Sequence, residues 1–232
     1  MFVPSLTDNY NNLVAQLIIV KRMPHAFKQI LEEITGEKAS GPSPTFSVFH
    51  MLLAIELIAN KAIGRSKLAE EIGVGEGAMR TMINRLKDAD LITTSKLGCA
   101  LTSKGLKLWN EYRTVFKRKV EIGKNKLTLA DYNVAIIVKN RGHKVKSGME
   151  QRDAAIMVGA KGATTIMFKG ERLIIPSVSD NMTKDFPKVA NQMVRLLQPG
   201  ENDVIVVGSA DSLVKAEYGA LAAAWTLVND CG

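Results

Sequence analysis

Several things are scarce in this chain. Only two of its 232 residues are cysteines, Cys99 and Cys231. That is too few for a disulfide framework and suits a reducing compartment. The three histidines, His25, His50 and His143, are scattered, and no zinc-type spacing of His and Cys results. The longest apolar runs, such as residues 51–55 and 220–225, are far too short to cross a bilayer. No basic stretch followed by an apolar run opens the sequence, so a cytoplasmic protein without membrane association is expected. A Walker loop, a G-x-G-x-x-G fingerprint and a nucleophile elbow are all missing. No nucleophile stands beside a base. The expectation is therefore no cofactor, no metal and no catalysis.

What is present is ordinary globular material, 46% apolar and 23% charged. The length allows one large domain or two ordinary ones. The net charge of +8 is unevenly placed. Residues 1–126 carry 19 of the 31 basic and 12 of the 23 acidic side chains, so nearly all the positive excess lies in the front half. A basic half joined to a neutral half suits a polyanion-binding module followed by a second module. A solvated basic surface is the plainer reading.

Periodicity places the elements. Residues 8–34 read as two helices broken at Pro24, with Gly36 at the stop position. A Pro/Gly/Ser-rich connector follows at 38–45. Ser47 caps a helix apolar on most sides, which predicts burial between layers. A short helix over 67–72, a Gly73-Val74-Gly75 turn and a helix over 76–89 come next. Then the period shortens: 91–94 and 99–102 read as strands joined by a hairpin. Ser103 or Thr102 caps a further helix that ends in Lys117-Arg118-Lys119, and the charged stretch to Lys126 reads as a linker.

Beyond the linker, strand and helix alternate in the order β-α-β-β-α-β-α. The first six elements have the split order of ferredoxin-like domains, and a small open sheet is the rival. The hairpin at Lys169-Gly170 argues against an all-parallel sheet. The expected fold is thus mixed α+β and α/β in two domains. Residues 1–44 pack on or dimerise the first domain, 45–120 form it, 121–129 link, and 130–232 form the second.

Helix, short helix, tight turn, helix, hairpin, helix is the winged helix-turn-helix order. Leu68-Ala-Glu-Glu-Ile-Gly-Val-Gly-Glu-Gly-Ala-Met-Arg-Thr-Met-Ile-Asn-Arg-Leu-Lys-Asp-Ala-Asp-Leu-Ile92 resembles the turn and recognition helix of bacterial and archaeal repressors. Leu101-Thr-Ser-Lys-Gly105 resembles the junction that closes their wing. The whole chain is similar to an archaeal family in which this domain precedes an α/β domain of unassigned function, on the segments 75–81 and Gly148-Met-Glu-Gln-Arg-Asp153. The resemblance implies a DNA-binding transcriptional regulator.

A recognition helix must bury one face and free the other for a major groove. With Met79, Met82, Ile83 and Leu86 inward, Arg80, Thr81, Asn84 and Lys87 face out and Arg85 lies at the edge. Arg65, Ser66 and Lys67 open the preceding helix, where free N–H groups and two cations suit a phosphate. Lys96 stands at the wing tip. Gly75 replaces the usual Ser or Thr cap, and Glu76 puts an acid at the leading end. The helices of 8–34 and the one after the wing carry much apolar surface. A homodimer seam, as in similar repressors, and packing within one chain both account for it.

The second half offers one constellation. Residues 204–207 run into Gly208, Ser209 and Asp211 before a helix start, and Arg152 with Asp153 opens an earlier helix. A small anionic effector is one reading; capping and a surface ion pair are the other. The function read from the sequence is therefore a regulator whose winged helix binds double-stranded DNA and whose second domain senses a small ligand or sets dimer geometry. An enzyme in the second domain and a protein-docking adaptor are the alternatives.

Overall fold

The computed structural model describes residues 26–36 and 45–228. The expected helix before Pro24, the 38–44 stretch of the connector and Cys231 lie outside them. Helix α1 (Ala26–Thr35) is followed by α2 (Val48–Asn60), α3 (Arg65–Ile72), α4 (Glu76–Asp88), strands β1 (Ile92–Ser95) and β2 (Gly98–Leu101), and α5 (Ser103–Val115). A second group comprises β3 (Phe116–Ile122), β4 (Tyr132–Val138), α6 (Met149–Met157), β5 (Gly162–Lys169), β6 (Arg172–Ile174), α7 (Met182–Asp185), α8 (Pro187–Leu197), β7 (Val204–Ala210) and α9 (Leu213–Thr226).

Helix α2 is buried between layers because nearly every turn is apolar; Met51, Leu52 and Ile55 have no exposed surface. At its start the Ser47 N–H donates to His50 Nδ1 at 3.0 Å. Burial holds the His50 pKa below its usual value, which keeps that nitrogen an acceptor. Helix α8 begins with Pro187 at its first position, where the missing N–H costs nothing. Thr102 caps α5 by accepting from the Gly105 N–H at 3.0 Å and donates to Asp90 O at 2.6 Å. A Cβ at Gly105 would lie 2.0 Å from Leu91 O, so only glycine lets α5 leave the wing this closely.

The sequence-based linker needs correction. Helix α5 stops at Val115, and Phe116–Ile122, expected to be helix end and linker, is a strand paired antiparallel with β4. Its basic residues mask the strand pattern. They are tolerated because β3 is an edge strand with one neighbour, where charge also discourages edge-to-edge pairing. The β-α-β-β-α-β-α order after it stands. The sheet is open, its order is β3-β4-β7-β5-β6, and every pairing is antiparallel. The ferredoxin-like arrangement is therefore not the one adopted. The last strand, β7, lies between β4 and β5, while the β5–β6 hairpin lies at the outer edge.

One sheet face packs on α8 through Ala135, Ile137, Ile166, Ile205 and Val207. The opposite face packs on α9, and α9 in turn packs on the helices of the first half. A single core runs through both halves: Phe27, Met51, Tyr112, Val134, Val206 and Trp225 belong to it. Phe27 of α1 meets Tyr112, Phe116 and Trp225 edge-on, with ring centroids 5.9, 6.2 and 5.8 Å away. Such edge-to-face pairs add to burial. The apolar faces of α1 and α5 are thus buried within one chain, as Phe27, Leu31, Leu108 and Val115 show.

Candidate nucleic-acid interface

Helix α4 divides as its periodicity requires. Met79, Met82, Ile83 and Leu86 are buried, while Arg80, Thr81, Asn84 and Lys87 are exposed. The hairpin β1–β2 stands beside it, tied to the body where Cys99 N–H donates to Ile63 O at 2.8 Å and Ile63 N–H donates back at 3.2 Å. Between α4 and the wing runs an open groove of about 360 Å³, lined among others by Arg65, Asn84, Lys87, Lys96 and Leu97. Four of the expected contact residues therefore share one concavity. Arg80 and Thr81 stand on the exposed face of α4, and the Thr81 hydroxyl donates to Gly77 O at 3.2 Å.

Electrostatics around this groove are partly internal. Glu76, the acid at the head of α4, accepts from the Ser66 hydroxyl at 3.2 Å and lies 3.8 Å from Arg65 Nη2. It therefore bridges α3 and α4 and does not cap its own helix, whose Gly75 cap has no side chain to offer. Lys67 sits between Glu70 at 3.0 Å and Glu71 at 3.2 Å, and those carboxylates raise its pKa. Such exposed pairs are worth little and exchange readily for a stronger anion.

Arg85 has a different role from the one expected. Its Nη1 donates to the carbonyls of Ile34, Thr35 and Gly36 at 3.0, 2.8 and 3.0 Å, and its guanidinium lies 5.2 Å from the Phe46 ring centroid. It satisfies the C-terminal end of α1, where a cation is also favoured by the helix dipole. Leu97 was not anticipated. It is 83% exposed at the wing tip, and an apolar residue in a turn that usually takes polar ones was the available signal.

The five residues considered for an effector are not assembled as an open site. Gly208 and Ser209 lie within β7, paired with Val134 and Asn133 on one side and with Ala163 and Gly162 on the other. Ser209 is fully buried and accepts from the Leu129 N–H at 3.1 Å. Asp211 forms an exposed pair with Lys161 at 3.1 Å, and Ser212 caps α9 by accepting from Lys215 N–H at 3.4 Å. Arg152 pairs with its neighbour Asp153 at 3.0 Å. The strand continues past the point at which a sequence reading ends it, which removes the expected anion-binding turn.

Residues 47–116 match the model described as the CggR N-terminal DNA binding domain. This segment is a winged helix-turn-helix DNA-binding domain. Residues 129–227, which follow the winged helix, match a domain of unknown function, DUF4443. No curated protein matches the chain. Among solved structures, the chain is similar to a hypothetical protein, PH0730, from the archaeon Pyrococcus horikoshii OT3. The two share 27% identity over 78% of this chain and 92% of that one, with a TM-score of 0.64. That protein fits the same layout of winged helix followed by a sheet-bearing domain. No described helix is long and apolar enough to cross a membrane.

The winged helix is joined to the second domain by polar contacts as well as by the core. The Tyr218 hydroxyl of α9 donates to the carbonyl of Ile72, the last residue of α3, at 3.0 Å. The Trp225 indole donates to Glu32 at 3.0 Å. Lys119 of β3 pairs with Glu56 of α2 at 2.7 Å and with Glu217 of α9. The second domain therefore grips the helix-turn-helix at the residue where its turn begins.

Proposed function

We propose that this protein is a DNA-binding transcriptional regulator and not a catalyst. The exposed face of α4, with Arg80, Thr81, Asn84 and Lys87, enters a major groove. Arg65, Ser66, Lys67 and Lys96 contact flanking backbone. An Arg fork suits guanine and an Asn amide suits adenine. The observation that carries this reading is the groove between α4 and the wing, open and lined by basic and amide side chains next to a buried apolar face. The positive excess of the front half supports it.

The second domain sets the attitude of the winged helix through Tyr218, Trp225 and Lys119. A ligand that favours the arrangement of α9 that DNA also favours would raise DNA affinity, and DNA would raise the affinity for that ligand by the same factor. We read the working unit as a homodimer on two half-sites about one DNA turn apart. Its seam would use surfaces other than the buried faces of α1 and α5.

A mobility shift on sheared genomic DNA tests this. Binding is expected, with log affinity falling linearly as log salt rises, and with recovered sites showing two-fold symmetry. Folded protein that shifts no fragment even at about 50 mM salt contradicts the reading. Asymmetric sites bound by one copy contradict the dimer.

A further inference from the structure

The segment Gly148-Met-Glu-Gln-Arg-Asp153 has no place in DNA contact, yet its form is strict. Gly148 precedes α6 with φ of +78°, and a Cβ there would lie 3.3–3.4 Å from the side chain of Thr165. Glycine suits both the backbone and the close approach. The result is an open cleft of about 330 Å³ at the head of α6, bounded by β5 and by the loop after β6. That is the lower end of the size range for small-molecule sites.

Two independent features give the cleft chemistry. The first is the start of α6, nine residues long: Gly148 offers no side-chain cap and Ser147 Oγ accepts only from the Met149 N–H at 3.4 Å, so the next N–H groups and the positive end of the helix lie at the cleft. The second is Thr165. It is 4% exposed, lies in the cleft wall, and its hydroxyl has no hydrogen-bond partner among the described residues. Its neighbour Thr164 differs: that hydroxyl donates to Leu127 O at 2.8 Å. Buried hydroxyls are almost always paired, so an orphan one marks a place where a partner belongs.

The rest of the lining defines the partner. Arg152 is the only charged side chain among the described lining residues. Its pair with Asp153 is exposed and exchangeable. Hydroxyls come from Ser147 and Ser177, and Met149, Pro176 and Val178 supply apolar wall. Met149 and Val178 are 50% and 67% exposed at the rim, so apolar contact area is available there. We propose that this cleft binds a small metabolite carrying an oxyanion head, carboxylate or phosphate, on a short apolar body. Arg152, the α6 N-terminus and the Thr165 hydroxyl hold the head, and the rim side chains hold the body.

The cleft is placed to be felt elsewhere. Helix α6 and the turn after it lie on α9: a Cβ on Gly219 would come within 2.5 Å of Ala160 in that turn and 3.5 Å of Ala155 in α6. Helix α9 carries Tyr218, which holds Ile72. A role as an effector site rests on the regulator reading above, whereas occupancy of the cleft does not.

The test is a titration of the full chain, without DNA, with isobutyrate and separately with inorganic phosphate, followed by amide chemical shifts. Saturable shifts are expected at residues 148–152 and 165 with at least one probe, and the tighter probe identifies the head group. Arg152→Ala should weaken that binding at least tenfold. Thr165→Val should weaken it at least threefold without lowering the thermal midpoint, because the hydroxyl it removes is unpartnered. Absence of saturable shifts at those amides with both probes overturns the proposal, as does binding that neither variant alters. A parent that binds a probe but no DNA refutes the regulator reading and leaves the site standing.

Discussion

Lys119→Met is expected to destabilise the protein by about 3 kcal/mol, read as a lowered denaturant midpoint with an unchanged slope. Its ammonium lies between Glu56 and Glu217, and all three side chains are only 21–25% exposed. Methionine keeps the aliphatic stem and strands two carboxylates together in a poorly solvated place. The triple variant with Glu56→Gln and Glu217→Gln should recover most of the loss, since no charge is then left unpaired. A single variant as stable as the parent would mean that this cluster does not join the halves.

The same cluster fixes an alkaline limit. Burial works to lower the Lys119 pKa, but the two carboxylates outweigh it and hold the ammonium above the usual lysine range. Burial, then the neighbouring carboxylates, push up the phenols of Tyr112 and Tyr218. In each case the unfolded chain releases its proton at lower pH than the folded one. Stability from these groups is therefore complete below pH of about 10 and is lost as pH rises beyond it. Lys119→Met should make that alkaline decline shallower, leaving the two tyrosines to drive what remains.

Gly208→Ala should cost about 3 kcal/mol, at the upper end for an overpacked core site. A Cβ at Gly208 would lie 2.4 Å from both Ala216 O and Ala220 N, which are helix backbone and cannot turn aside. Helix α9 would have to lift from β7, disturbing the Tyr218 and Trp225 contacts as well. Thermal unfolding measures the loss. An unchanged midpoint would mean that α9 does not lie this close to the sheet.

Both expected losses bear on what a sequence reveals. The faces of α4 were legible because a 3.6-residue period separates Met79, Met82, Ile83 and Leu86 from Arg80, Thr81 and Asn84 without ambiguity. The Thr102–Gly105 junction was legible because a cap and a close-approach glycine have local causes. Gly208 and Ser209 were misplaced because a glycine after four apolar residues looks like a strand end, and only the position of α9 explains it. Arg85 was misplaced because its carbonyl partners lie about fifty residues away in the chain. Strand β3 was missed because basic side chains at a sheet edge erase the alternation that identifies strands. The shared core had no local signal at all, for it joins residues as far apart as Phe27 and Trp225.

The central claim is that the outward ridge of α4 reads DNA. The most direct measurement compares the parent with an Arg80→Ala/Asn84→Ala double variant on one selected site and on random-sequence DNA. Both side chains are exposed, so folding should be preserved. The account predicts that affinity for the selected site falls at least tenfold, on the order of 1–3 kcal/mol per lost bidentate contact, while random-sequence binding changes far less. A double variant that keeps its preference for the selected site would contradict it.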